Sequence, residues 1–259
     1  MTTTVVPTAV TGSRHAGLRR AVSPVLLVVL WQASSTTGLL NPETLASPAA
    51  VLASAWDLVR DGTLTGAIWV SVQRVVLGFA IGAVLGVGLA LLSGLSRLAE
   101  DAIDPPLQML RTLPHFGLIP LFILWMGIGE TPKITLIAMG VLFPLYLNTY
   151  AGIRSVDRRL VEAARTFELS RTSLVRNVIL PGALPQALTG LRLSLGVAWL
   201  SLIVAETLAA DSGLGWMIND AREFLQTDVI VVGLAVYSLL GLATDALVRM
   251  LERKALSWR

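Results

Sequence analysis

Few side chains in this sequence have the types and spacing that catalysis requires. An enzyme working inside a membrane needs a nucleophile beside a base, and Ser201 with His115 is the only conceivable pair in the apolar segments. Nothing in the sequence orients these two residues. Cysteine is absent, and His15 and His115 are too few and too far apart for a metal site. We therefore predict no catalytic residue and no metal ligand.

The lysines argue against nucleotide binding by this chain. A phosphate-binding P-loop needs a glycine immediately before its lysine. Lys133 follows Pro132, and Lys254 follows Arg253. Any ATP-driven step is therefore expected to use another polypeptide.

Residues 155–185 form a charged segment between long apolar runs. Apolar residues recur in it at spacings that predict one helical stripe, made of Leu160, Val161, Ala164 and Phe167. Ser170 is a good N-cap for a second short helix that runs to Pro181. Because proline lacks an N–H and disfavours helical geometry in the residue before it, Pro181 and Pro185 are expected to redirect the chain. The segment is predicted to be a helix–turn–helix at a membrane surface.

Composition places the chain in a membrane. Hydrophobic residues make up 54% of the sequence and charged residues 14%, whereas a soluble domain carries about 25% charged residues. The formal net charge is +3, but the arginines concentrate at the ends of apolar runs. This distribution favours membrane topology and contact with anionic lipid headgroups over nucleic-acid binding.

The apolar runs predict an all-α membrane protein with a short tail and one membrane domain. Residues 1–20 are expected to be a cytoplasmic tail and residues 21–259 the membrane domain. The predicted spans are about 21–40, 66–95, 107–129, 134–152, 186–209 and 229–248. A cleaved signal peptide is the alternative for the first span. Arginines and lysines are far more frequent in the predicted inner segments than in the outer loops, which predicts that both termini are cytoplasmic.

Several features within these spans carry further expectations. Gly78, Gly82 and Gly86 fall on one helix face, where another helix can approach closely. Arg74 is expected to extend its side chain to the membrane interface. Residues 96–106 are expected to form an inner turn. The two prolines at its end are expected to begin the third span. An amphipathic helix after Ser47 and Pro48 should lie at the outer interface, with one face made of Val51, Leu52, Ala55, Trp56 and Val59. Residues 211–228 should form an outer loop that contains a re-entrant or interfacial helix.

The charged segment resembles the EAA loop of the permease subunits of ABC importers. The resemblance is carried by Glu162-Ala163-Ala164, followed at a fixed distance by Val178, Leu180 and Pro181. The residues that it implies for coupling to an ATPase are Glu162, Ala163, Ala164, Glu168, Leu180 and Pro181. The family has glycine where this chain has Glu168, and glycine permits the left-handed residue that ends the first helix, so the geometry of this turn is left open. The run from LTGLRLSLGVAWLSLIVAE to DSGLGWMI resembles the subfamily that imports aliphatic sulfonates, taurine, nitrate and related anions.

The resemblance covers nearly everything after about residue 45 and implies an architecture and partners. It implies the six-helix transmembrane domain of type I ABC importers (MetI-like) in the cytoplasmic membrane of a bacterium. The implied partners are a second permease copy, two ATPase subunits that bind ATP and Mg, an extracytoplasmic substrate-binding protein and membrane lipids. This chain itself would bind no cofactor.

The resemblance also implies that spans three and five line the translocation path. Polar or amphipathic groups in or near these spans are the candidates for the path, namely Arg111, His115, Trp199 and Glu206. Packing is an equal alternative for His115. Glu206 is also expected to pair or to cap the outer end of its helix.

An aliphatic sulfonate is the substrate we expect. Taurine, nitrate, bicarbonate, aromatic acids and thiamine-precursor pyrimidines are the alternatives that similar permeases handle. A secondary transporter working without ATP would require repeat symmetry and buried ion-coupling acids, and it would leave the EAA motif unexplained.

Overall fold

The computed structural model describes residues 15–41 and 43–256, which form helices joined by short turns. In this part of the chain there is no β-strand. The helices are α1 (His15–Thr36), α2 (Pro48–Arg60), α3 (Thr63–Leu95), α4 (Arg97–Arg111), α5 (Ile119–Met126), α6 (Glu130–Arg154), α7 (Arg158–Thr166), α8 (Arg171–Leu174), α9 (Leu180–Ala209), α10 (Leu214–Glu223) and α11 (Thr227–Ala255).

The helix α6 lies at the centre of the bundle, packed against α3 on one side and α9 on the other. Its side chains Ile137, Val141 and Leu145 are buried in the main apolar core. Burial of such side chains removes apolar area from water or lipid and fills the interior at high density. The result is a central layer of three long helices, α3, α6 and α9.

Glycine makes the close approach of α3 to α6 possible. A Cβ atom at Gly78 would lie 2.6 Å from Ile137, one at Gly82 would lie 2.3 Å from the carbonyl oxygen of Ala138, and one at Gly86 would lie 2.8 Å from that of Leu142. These distances are shorter than atoms tolerate without displacement, so only glycine fits at these positions without rearrangement.

Four helices in the described part of the chain are long and apolar enough to cross a membrane. They are Thr63–Leu95, Glu130–Arg154, the continuous run Arg171–Ala209, and Thr227–Ala255. Their apolar stretches coincide with the predicted second, fourth, fifth and sixth spans.

The predicted third span, about 107–129, does not form one helix. Neither α4 nor the run His115–Met126 is long and apolar enough to cross a membrane alone, whereas the two taken together are. They meet at an angle of 90°. The expected inner turn, 96–106, is also wrong, because Ser96 caps α4 through a hydrogen bond from the Ala99 N–H. Pro105 and Pro106 lie inside α4 on its exposed side, and the helix breaks later, before Pro114. Restricted backbone geometry before a proline accounts for the break at that point.

The first helix lies at the edge of the bundle. Residues 1–14 of the predicted tail lie outside the described residues, and α1 begins at His15 rather than at residue 21. Arg19 and Arg20 have good helix propensity and continue the helix into the predicted tail. Residues 22–36 form an apolar helix shorter than the four spans, and Gln32 joins it to α2 by accepting the Ala49 N–H at 3.1 Å.

The outer helices α2 and α10 close one end of the bundle. The predicted helix after Ser47 forms, and Ser47 caps it. The helix α2 packs through Val51, Ala55 and Leu58, whereas Trp56 is 64% exposed. Only part of the predicted apolar face of α2 therefore packs into the core, and the rest of that face is exposed. In the loop 211–228, α10 buries Leu214, Met217 and Ala221 instead of lying on the surface.

Candidate functional site

The charged segment begins with a capped helix, α7. Asp157 precedes it, and its carboxylate accepts the N–H of Arg159 at 2.9 Å. A carboxylate at this position satisfies a free N–H and interacts favourably with the helix dipole. The start of α7 is therefore determined by local sequence.

A tight left-handed turn ends α7 at Glu168. The N–H of Glu168 donates to the carbonyl of Arg165 at 2.9 Å, and the N–H of Leu169 donates to that of Ala164 at 3.3 Å. This pair of bonds is the Schellman arrangement, in which the residue after the helix takes a positive φ. Glu168 has φ of +54°. The turn whose geometry the sequence left open is thus formed here with glutamate, at a backbone cost of about 1 kcal/mol or more.

The second half of the segment is continuous with a membrane span. Ser170 caps α8 as predicted, with its hydroxyl accepting the Ser173 N–H. The prediction that this helix ends at Pro181 is wrong, because one helical run extends from Arg171 to Ala209. Residues 175–179 form a widened π-helical turn, in which the N–H of Leu180 reaches the carbonyl of Val175. A wide turn next to proline re-satisfies backbone groups that a regular helix would leave unpaired, so Pro181 and Pro185 are accommodated within the run.

The predicted apolar stripe of α7 separates into two faces. Ala164 is buried and Val161 is partly buried, so these two residues face the bundle. Leu160 is 59% exposed and Phe167 is 81% exposed, with exposed Ala163 between them on the helix surface. We call Leu160, Ala163 and Phe167 the coupling ridge. Large exposed apolar side chains on a short charged helix are typical of a surface that binds another protein.

Three other motif residues are accessible at the protein surface. Glu162 is exposed, and so are Leu180 and Pro181. At the junction with the bundle, a Cβ atom at Gly182 would lie 3.0 Å from Val156, and one at Gly152 would lie 2.8 Å from the carbonyl oxygen of Ala183. The segment is therefore held tightly against the ends of α6 and α9.

The four candidates for the translocation path lie in different surroundings. Arg111 is the exposed last residue of α4. Trp199 is buried, donates its indole N–H to Thr244 at 3.1 Å and stands edge-on to Tyr237. Neither residue is placed beside the other two candidates.

His115 meets Ser201 at the break between α4 and α5. Its Nε2 lies 3.0 Å from the Ser201 hydroxyl, next to Gly140, where a Cβ atom would lie 2.9 Å from the same nitrogen. The Ser201 hydroxyl also lies within hydrogen-bond distance of the Val197 carbonyl, at 2.8 Å, so this carbonyl and the ring nitrogen are both neighbours of the one hydroxyl proton. The other ring nitrogen, Nδ1, is buried without a partner in the described structure. A serine nucleophile needs a base that a third group orients, and in the described residues no hydrogen-bond partner of Nδ1 orients this ring. The contact joins the turn before α5 to α9.

Glu206 occupies the centre of a charge network at the end of the bundle where α3 and α6 begin and α9 ends. Its carboxylate is 2.7 Å from the Arg74 guanidinium and accepts hydrogen bonds from the Ser71 hydroxyl, the Gly215 N–H and the Tyr237 hydroxyl. Glu206 is 1% exposed. It pairs with Arg74 near the C-terminal end of α9.

The expectation that Arg74 reaches the membrane interface is wrong. Arg74 is 2% exposed, and its guanidinium also binds Glu130 at 2.6 Å, the Ser212 carbonyl at 2.7 Å and the Ser212 hydroxyl. Lys133 joins the network through Glu130 at 2.8 Å. Two cations and two carboxylates therefore compensate each other, with Arg74, Lys133 and Glu206 buried and Glu130 exposed at the edge of the network. The sequence analysis missed Ser71, Glu130 and Tyr237, which lie far from one another along the chain.

No group of three or more His, Cys, Asp or Glu residues in the described part of the chain is placed to hold a metal ion. The features that the structure does define are the exposed apolar ridge of α7, the charge network around Arg74 and Glu206, and the packed helix contacts. Together with the long apolar helices, they define an all-α membrane protein.

Comparison with known proteins identifies the family. Residues 79–257 match the family model described as "Binding-protein-dependent transport system inner membrane component". The chain belongs to this family and is a permease subunit of an ABC transporter, of type I. It is a transport protein rather than an enzyme, and the family implies ATPase and substrate-binding partners.

Curated relatives cover almost the whole chain. A protein of Bacillus subtilis (strain 168), provisionally described as an aliphatic sulfonates transport permease protein, is 44% identical over 95% of this chain and 89% of its own length. A protein of Escherichia coli (strain K12) with the same description is 50% identical over 91% and 89%. The taurine transport system permease protein of Escherichia coli (strain K12) is 36% identical over 95% and 91%.

Solved structures share the fold. A chain from the crystal structure of an amino acid ABC transporter with histidines aligns with a TM-score of 0.64 at 19% identity, covering 76% of this chain and 96% of that one. A chain of the inward-facing MetNI methionine ABC transporter aligns with a TM-score of 0.58 at 20% identity, covering 75% and 96%. At these identities the likeness concerns the fold alone.

Proposed function

We propose that two copies of this chain form the membrane path of an ATP-driven importer for aliphatic sulfonates. The two relatives described as sulfonate permeases are 44% and 50% identical to it, whereas the taurine and nitrate permeases are 36% and 32% identical. Taurine and nitrate are therefore the second candidates for the substrate. An extracytoplasmic binding protein delivers the substrate to the outer loops, and two ATPase subunits bind ATP and Mg.

The observation that carries the coupling mechanism is the rigid, exposed form of the charged segment. The coupling ridge of Leu160, Ala163 and Phe167 provides apolar contact area for an ATPase subunit, and Glu162 beside it provides a charge for a basic partner group. The Schellman turn at Glu168 fixes the angle between α7 and α8, so the two helices move as one body.

The continuous helix from Arg171 to Ala209 transmits that motion across the membrane. Closure of the ATPase dimer on ATP displaces α7 and α8, and α9 moves with them because the π-helical turn keeps the backbone hydrogen-bonded. At its far end α9 carries Glu206, which holds Arg74 of α3 and, through Arg74, Glu130 of α6. A displacement at the charged segment thereby reaches the outer ends of all three central helices. In this scheme the termini and the charged segment are cytoplasmic, as the arginine distribution predicts.

Copurification with the ATPase subunit tests the coupling ridge. We expect the Phe167→Asp substitution to reduce the retained ATPase by at least about tenfold, since a central apolar contact typically contributes 2 kcal/mol or more to binding. Glu162→Lys should also weaken or uncouple the complex. Leu98→Asp is the matched control, because Leu98 is 82% exposed and lies outside the segment. Equal retention by the Phe167 variant and the wild type would show that the ATPase binds elsewhere.

Uptake into vesicles tests the substrate. The assembled transporter, with its binding protein and ATP, should import a labelled alkanesulfonate faster than taurine or nitrate. ATP-dependent import of taurine or nitrate without alkanesulfonate would assign the chain to that substrate class instead. Import that proceeds without ATP would contradict the ATP-driven mechanism itself.

A further inference from the structure

A groove of about 510 Å³ runs between α9 and α11. Its walls are mainly apolar, with Leu195, Trp199 and Val248 among the lining residues. Along α9 it extends from Arg192 to Ile203, which corresponds to about 16 Å at 1.5 Å per residue. The thickness of one leaflet's hydrocarbon layer is about 15 Å, half of the 30 Å membrane core. The groove is therefore as long as one leaflet is thick.

A cluster of three charged side chains closes one end of this groove. The Asp245 carboxylate binds the Nε atom of Arg192 at 2.7 Å and also pairs with Arg249. One carboxylate compensates only one of the two guanidinium groups, which leaves a net charge of +1. The side chains of Arg192 and Arg249 are 49% and 44% exposed, so their remaining N–H groups can reach an external anion.

The charged end lies at the depth of lipid headgroups. Asp245 is about 27 Å along α11 from its first residue, and Arg192 is about 26 Å along α9 from its last residue. Both positions are close to one face of a membrane core about 30 Å thick. This is the same face as the charged segment, because α9 continues from it. On the groove's rim, Leu193 and Leu200 are 53% and 56% exposed and extend the apolar surface towards the bilayer.

We propose that this groove binds one anionic glycerophospholipid, with its phosphate on Arg192 and Arg249 and an acyl chain along the wall of α9 and α11. The charged end of the groove suits the phosphate of such a lipid, and the apolar wall suits an acyl chain. The length of the groove equals the thickness of one leaflet. The bound lipid neutralises the excess guanidinium charge and fills the space beside Trp199. This inference is independent of the transported substrate.

Lipid retention by the purified transporter tests the proposal. The complex of permease and ATPase is stripped of lipid in mild detergent, supplied with equal amounts of dioleoyl phosphatidylglycerol and dioleoyl phosphatidylcholine, and analysed by native mass spectrometry. The wild type should retain the anionic lipid in preference to the zwitterionic one, and Arg192→Gln should reduce that preference about fivefold. High salt should reduce it as well.

Two further variants separate lipid binding from a purely structural ion pair. Asp245→Asn leaves both arginines without the carboxylate and should increase retention of phosphatidylglycerol. Arg154→Gln is the matched control, because Arg154 is 48% exposed and paired with Glu100 away from the groove. If Arg192→Gln does not fold, Arg249→Gln provides the same test.

Three results would overturn the proposal. The first is equal retention of both lipids by the wild type. The second is a lipid preference that Asp245→Asn lowers as much as Arg192→Gln does, because a structural ion pair would give that result. The third is stoichiometric displacement of phosphatidylglycerol by pentanesulfonate, which would assign the groove to a transported anion.

Discussion

The Nη1 atom of Arg74 and the Oε1 atom of Glu206 lie 2.7 Å apart, and both side chains are almost completely inaccessible to solvent. Because Glu206 also accepts from Ser71, Gly215 and Tyr237, the pair joins α3, α9, α10 and α11 at one point. Such a pair is costly to disrupt, since removing one member leaves the other buried without its counterion.

Arg74→Met should lower the free energy of unfolding by about 3–5 kcal/mol. The change leaves the buried Glu206 without its cation, whereas the exposed Glu130 keeps Lys133. Thermal unfolding of the purified protein measures the effect. Arg154→Gln, which breaks the exposed pair with Glu100, should cost less than about 1 kcal/mol and serves as the control. Unchanged stability in the Arg74 variant would show that the network is hydrated in solution.

Glu168→Gly should stabilise α7 by about 1 kcal/mol. Glutamate at φ of +54° carries a backbone cost that glycine lacks, and the Schellman hydrogen bonds do not depend on the side chain. Slower amide hydrogen exchange in residues 160–170 would report the gain. Leu225→Gly tests the same backbone cost at a second position, because Leu225 has φ of +57°. Faster exchange in the Glu168 variant would mean that the glutamate side chain contributes contacts that outweigh the strain.

Gly82→Ala should destabilise the bundle by about 1–3 kcal/mol, whereas Gly88→Ala should not destabilise it. A Cβ atom at Gly82 would meet the Ala138 carbonyl oxygen at 2.3 Å, whereas one at Gly88 would meet nothing within 4 Å. Both glycines lie in α3, so the two substitutions share the same gain in helix propensity. Midpoints of thermal unfolding for both variants provide the comparison, and equal midpoints would contradict the close packing of α3 on α6.

Tyr146→Phe should loosen α4 from α6. The Tyr146 hydroxyl donates to the Asp104 carboxylate at 3.0 Å, and the neighbouring Tyr150 donates to Glu100 of the same helix. Loss of a hydrogen bond to a charged group costs about 1.5–3 kcal/mol. Limited proteolysis near residues 112–114, where the helix breaks, should become faster in the variant than in the wild type. An unchanged cleavage rate would show that the Tyr146 hydrogen bond is not needed to hold α4 against α6.

Local features of the fold were predictable because they depend on neighbouring residues. Ser47 and Ser170 cap their helices through atoms only three residues away, and the long apolar runs determine where helices can cross a membrane. The packing face of Gly78, Gly82 and Gly86 follows from helical periodicity alone. Fold class and family are accordingly evident in the sequence.

Tertiary structure decided the features that join distant parts of the chain. Arg74 looked like an interfacial arginine, because its partners Glu130 and Glu206 are 56 and 132 positions away. The proximity of His115 to Ser201, which lie 86 positions apart, also required the packed bundle. Pro181 predicted a helix end, but the widened turn before it accommodates the proline ring. Glu168 takes the left-handed conformation because the Schellman hydrogen bonds around it require that geometry. The sequence by itself determined the class of protein and its coupling motif, whereas three-dimensional packing determined which charges compensate each other, since no local rule specifies a partner a hundred residues away.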